Sequence, residues 1–136
     1  MKKWIKVCLI VLCVLLVLDF VAQLFLLRVN PIWVDSMELY TYDSEQDKEY
    51  HLELTGDEIW KISMLHNLSI PVDKVIADPP PMCDRLEIHF ITGAELILYL
   101  ISDEQFSAKP SYYVFSCQWL YDYIQEILEQ HNLPKW

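Results

Sequence analysis

A run of apolar residues from Val7 to Leu27, entered through Lys2, Lys3 and Lys6 and closed by Arg28, constrains this chain more than any other stretch. Every residue from Val7 to Leu18 is apolar (VCLIVLCVLLVL); Asp19 follows, and then FVAQLFLL. Twenty-one residues at ~1.5 Å per residue make a helix about 30 Å long, the thickness of a bilayer's hydrocarbon core. Trp4 and Trp33 bracket the run where an interfacial aromatic belt sits. Three lysines ahead of it against one arginine behind predict a cytoplasmic N-terminus, with the rest of the chain across the membrane.

A cleaved signal peptide is the competing reading. Its only cleavage site follows Ala22, and Phe20 is bulky where a small residue is required. A lipoprotein site at Cys13 fails because Leu12 precedes it. The expected organisation is therefore a cytoplasmic tip and transmembrane anchor over residues 1–30, then an extracytoplasmic domain over residues 31–136. Within the anchor, Asp19 and Gln23 share a helix face at i and i+4. They lie either in the outer half within reach of headgroups and water, or on a polar stripe that meets another helix, in a homo-oligomer or a membrane partner.

Charge divides the chain at the same place. Residues 1–28 carry four basic residues and one acidic, whereas residues 29–136 carry six basic and nineteen acidic. A domain with net charge −13 excludes nucleic acid and anionic lipid as electrostatic partners. It favours solubility, cationic partners or loosely held cations. About a hundred residues suffice for one modest core.

The outer segment reads as a ββαβββα unit of the α+β class, a mostly antiparallel sheet with two helices on one face. Trp33–Tyr42 and the alternating Tyr50, Leu52 and Leu54 predict a hairpin about the polar turn Asp43–Lys48. Thr55 with Glu58 is a capping box for a helix over Gly56–Asn67, ended by Pro71; its apolar Ile59, Trp60, Ile62, Met64, Leu65 and Leu68 cover more than one narrow stripe, so it either packs on two sides or leaves Trp60 partly exposed. Ser69–Cys83, with Pro79, Pro80 and Pro81, reads as a stiff connector. Leu86, Ile88 and Phe90 alternate in a strand, Thr92-Gly93 turns, and Ala94–Ile101 returns as an apolar strand. Asp103–Pro110 reads as a loop and Ser111–Ser116 as a third strand, with Ser116 capping a final helix that buries Leu120, Ile124, Ile127 and Leu128.

The lysine-rich start, the LTGDEIWKI helix entry, the strand–Thr-Gly–strand hairpin and the YYVFS strand leading into the last helix resemble small, N-terminally membrane-anchored extracytoplasmic domains of unknown function in Gram-positive bacteria. The resemblance implies an envelope-facing accessory domain and brings no catalytic residues.

Chemistry is sparse. His51, His66, His89 and His131 lack metal-ligand spacing, and no phosphate-cradling loop can form from Gly56 and Gly93 alone. No cofactor and no nucleophile motif is indicated. Arg85, Glu87 and His89 share the polar face of one strand, and His51 lies between Glu49 and Glu53. Either set needs a third group that no local pattern supplies. Cys117 reads as a buried structural cysteine near a helix start. Cys83 and Cys117 are expected to stay unbonded, at opposite ends of a three-strand meander. Asn67-Leu68-Ser69 fits the N-glycosylation pattern. Aromatic residues exceed what a small core needs, and Trp60, Tyr112, Tyr113 and Trp119 are the candidate partner surface. The expected function is an envelope protein whose acidic outer domain binds another protein in an accessory, regulatory or immunity-type role. A ligand- or cation-binding sensor is the alternative, ahead of a hydrolase.

Overall fold

The computed structural model describes residues 2–24, 28–74, 83–102, 104–109 and 113–136. Helix α1 spans Lys2–Leu24. Its stretch Lys2–Ala22 is long and apolar enough to cross a membrane, with none of it buried against the rest of the chain. By length and composition it fits a single span, and it fits a signal sequence as well. After a 3-10 turn at Pro31–Trp33 come β1 (Val34–Asp43), β2 (Lys48–Glu53), α2 (Gly56–Asn67), β3 (Ile70–Lys74), β4 (Arg85–Phe90), β5 (Glu95–Ser102), β6 (Gln105–Lys109), β7 (Tyr113–Ser116) and α3 (Gln118–Gln130). The domain is α+β: the described residues form one seven-stranded sheet, antiparallel at every pairing, in the order β2-β1-β4-β5-β6-β7-β3.

Period-two patterning decides which face of that sheet is dry. Met37 and Leu39 of β1, Leu86, Ile88 and Phe90 of β4, Leu96 and Leu98 of β5, and Phe106 and Ala108 of β6 are buried together with Ile62 of α2 and Leu120, Ile124, Ile127 and Leu128 of α3. Both helices thus cover one face, and the opposite face carries the polar alternates. The capping box forms as expected: Thr55 N donates to Glu58 Oε1 at 2.9 Å, and Glu58 N to Thr55 Oγ1 at 3.5 Å. Such a cap stabilises a helix by about 1 kcal/mol.

Two strands depart from expectation. The stretch taken for a connector begins as β3, because an edge strand tolerates Pro71 where a central one does not. The loop assigned to Asp103–Pro110 contains β6, whose Phe106, Ser107 and Ala108 are all buried and so show no alternation. Residues 75–82, including the three consecutive prolines, lie outside the described residues. The cap of α3 is Cys117 rather than Ser116; it makes no side-chain capping bond, and its Sγ instead donates to Leu65 O at 3.5 Å.

The extra strand reverses β7, so Cys83 and Cys117 flank the same end of the sheet, not opposite ends. Leu100 N bonds Asp84 O there, and Cys117 N bonds Glu104 O. Three strand spacings still hold them roughly 14 Å apart, twice the reach of a disulfide, and both are free thiols. Mass spectrometry of non-reduced peptides is expected to find no Cys83–Cys117 crosslink; finding one would contradict the strand order.

Where the apolar helix meets the domain, Val29 is fully buried. Its N–H donates to Asn67 Oδ1 and its carbonyl accepts from Asn67 Nδ2, both at 2.8 Å. The amide of Asn67 at the end of α2 thus pairs with the backbone of Val29 as a neighbouring strand would. That use occupies the nitrogen which the glycosylation pattern would modify. Asp19 also has partners within its own chain: Asn30 Nδ2 at 2.6 Å and Trp33 Nε1 at 3.3 Å donate to its carboxylate, with Arg28 Nε 4.0 Å away. The side chain of Gln23 lies outside the described residues.

Candidate functional site

The open face of the sheet gathers residues that lie far apart in sequence. Antiparallel register sets Glu53, Glu38 and Glu87 in one row across β2, β1 and β4, and His51, Tyr40 and Arg85 in the next. His89 stands opposite Ser36 on β1 and Glu95 on β5. The two sets noted in the sequence therefore belong to one surface, joined by Glu38 and Tyr40 of β1. Neither was foreseen, because register and not local pattern brings them in.

Tyr40 is the hub of the second row. Its ring stacks on His51 with centroids 4.8 Å apart and carries the Arg85 guanidinium, whose carbon lies 3.9 Å from the ring centroid. Its hydroxyl donates to Glu38 Oε2 at 3.0 Å. Burial, that hydrogen bond and the Glu87 charge push the Tyr40 phenol up to about 12. Burial also pushes the Glu38 carboxyl up, but the Tyr40 hydroxyl and the nearby His51 and His89 outweigh it and hold the group below its ordinary value. Arg85 grips Glu49 with both terminal nitrogens (2.8 and 3.3 Å) and Glu87 Oε1 with Nε (2.8 Å). Desolvation opposes its charge, yet those carboxylates raise its pKa above the ordinary value. Beside this ladder, Glu38, Glu87 and His89, all half-buried, offer ligand atoms within 4.8 Å of one another.

The opposite side of the molecule is the outer surface of the helix pair. Trp60, Met64 and Leu68, at i, i+4 and i+8, are 53%, 62% and 59% exposed. Trp119 of α3 is 66% exposed and lines a shallow groove with Lys61, Leu65, Asp122, Tyr123 and Glu126. Lys61 Nζ sits 4.0 Å over the Tyr123 ring. Burial raises the Tyr123 phenol, as do the charges of Glu58, Glu126 and Asp57 around it. Of the four aromatic residues foreseen as a partner surface, Trp60 and Trp119 are thus displayed on adjoining helices. Tyr113 lies on β7, its side chain outside the described residues, and Tyr112 is outside them altogether. Met64 and Leu68 were first read only as apolar positions of the helix.

Comparison with family models, with characterised proteins and with solved structures finds no match to this chain.

Proposed function

We infer that this protein is a single-pass membrane protein whose acidic outer domain binds another protein in the same membrane through the exposed face of α2 and α3. One observation carries the reading: Trp60, Met64 and Leu68 on α2 and Trp119 on the adjoining α3 are all more than half exposed, and the groove that Trp119 lines is edged by Lys61, Asp122 and Glu126. Tryptophans at the centre of a polar rim are typical binding anchors. The matching partner presents an apolar strip flanked by Lys or Arg. A protein fits better than a lipid surface, because a domain of net charge −13 is repelled by anionic headgroups. The stripe of Trp60, Met64 and Leu68 rises about 12 Å over eight residues of α2, from the end that Asn67 ties to Val29, two residues past the apolar run. Lys2, Lys3 and Lys6 at the start of α1 support an N-terminus in the cytoplasm and a domain outside it, and the role that fits is accessory, regulatory or immunity-type.

A photoreactive amino acid at position 60 or 119, in intact cells, is expected to give one adduct of defined mass, the same from both positions. Position 45, on the exposed turn between β1 and β2, is expected to give none. No adduct at 60 and 119, or equal adducts at 45, would contradict the reading.

A further inference from the structure

We propose that Glu38, Glu87 and His89 form a binding site for one divalent transition-metal ion of the Zn2+ type on the open face of the sheet. His89 is the informative member. Its Nδ1 lies 3.1 Å from Glu95 Oε1, while its Nε2 faces Glu38 Oε2 and Glu87 Oε2, both at 3.6 Å. Those two separations exceed the usual hydrogen-bond range of about 2.7–3.2 Å. They match instead the edge of a metal tetrahedron: ligand bonds of about 2.0–2.2 Å set neighbouring donors roughly 3.3–3.6 Å apart.

The register supplies a second reason. Glu38 and Glu87 are directly opposed across β1 and β4, with Glu53 opposite Glu38 on the other side. Like charges in that position destabilise a sheet. Arg85 compensates on one flank, through Glu87 Oε1 and Glu49. On the other flank Glu87 Oε2 and Glu38 Oε2 converge on the imidazole, and the Tyr40 hydroxyl that also donates to Glu38 Oε2 carries no charge to offset them.

The supporting groups are also in place. A carboxylate on the far nitrogen of a ligating histidine fixes the ring and leaves the near lone pair for the metal; Glu95 holds that position. Tyr40 orients Glu38 and Arg85 orients Glu87. One nitrogen and two carboxylate donors suit Zn2+ and its neighbours more than Ca2+, which takes six to eight oxygens. Three protein ligands leave a fourth position open toward solvent on the uncovered face, for water or a donor from another molecule. His51 lies on the far side of Glu38, 3.3 Å from Oε1, and diagonal register places it too far from His89 to share the ion. It is the control.

The test is Zn2+ titration of the full-length protein in detergent by calorimetry, with Co2+ as the spectroscopic probe. One equivalent of Zn2+ is expected to bind, and Co2+ is expected to give the intense visible absorption of a four-coordinate site. His89→Gln and Glu87→Gln, each checked for an unchanged circular dichroism spectrum, should weaken binding more than about 100-fold, and Glu95→Gln about 10-fold. His51→Gln should weaken it far less than either, because His51 touches only the far oxygen of Glu38. Absence of saturable Zn2+ binding, binding that survives His89→Gln and Glu87→Gln, equal loss in His51→Gln, or Ca2+ displacing Zn2+ at equal concentration would overturn the assignment.

Discussion

Acidification from pH 7 to pH 5 is expected to cost the domain about 2 kcal/mol through a single side chain, His66. Its imidazole is buried on α2 against Phe115, ring centroids 5.5 Å apart, and its Nε2 has no hydrogen-bond partner among the described residues. Desolvation lowers its pKa from 6.5 to about 4. The folded state therefore holds the ring neutral, while the unfolded chain takes up a proton below pH 6.5. Stability from this group is complete above that value and drains away between 6.5 and about 4, by about 3 kcal/mol in all. At pH 5 the loss is worth roughly 10 °C in Tm for a domain of this size. Glu38, held below its ordinary value, adds a loss at more acid pH. Asp84 opposes both: burial raises its pKa, despite hydrogen bonds from Tyr42 N and Thr41, so it takes up a proton more readily in the folded state. Thermal melts of the full-length protein and of His66→Leu, at pH 7.5 and 5.0, separate these contributions. The variant should lose most of the pH dependence; an unchanged dependence would show that His66 is not its source.

Asn67→Ala is expected to destabilise the domain by about 2–3 kcal/mol, although it removes only a small polar side chain. The amide satisfies the N–H and the carbonyl of Val29 at once, and each buried backbone group left without a partner costs about 1–3 kcal/mol. Asn67→Asp keeps the acceptor and loses the donor, so it should fall between wild type and Asn67→Ala. Urea unfolding measures all three, and a loss below about 0.5 kcal/mol for Asn67→Ala would remove this contact from the account. Hydrogen exchange at the Val29 amide should quicken in the same order.

The helices were legible because their signals are local. The Thr55–Glu58 box marks where α2 begins, and Leu120, Ile124, Ile127 and Leu128 fall on one stripe of α3, which buries all four. Strands β1, β2 and β4 were legible from alternation with a polar face, and β5 from its apolar run after the Thr92-Gly93 turn. Strand β6 was not, because this central strand buries Ser107 along with Phe106 and Ala108, and small residues blur the period. Strand β3 was hidden by Pro71, which marks a break unless the strand is known to be an edge. The same limit hid Glu38. Half of the cluster on the open face could be read from Arg85, Glu87 and His89, two apart on β4. The other half comes from β1, some fifty residues earlier, through a register that no local pattern encodes. Asn67 is a similar case: its pairing with Val29 spans 38 positions.

The central claim is that the exposed face of the helix pair is a binding surface for a membrane partner. The most direct test is recovery of the adduct-forming partner with full-length protein from solubilised membranes, comparing wild type with Trp60→Ala/Trp119→Ala. Both tryptophans are largely exposed, so the double variant should keep its Tm while recovery falls more than about tenfold, the loss expected when anchor residues are removed. Equal recovery from a folded double variant would contradict the claim.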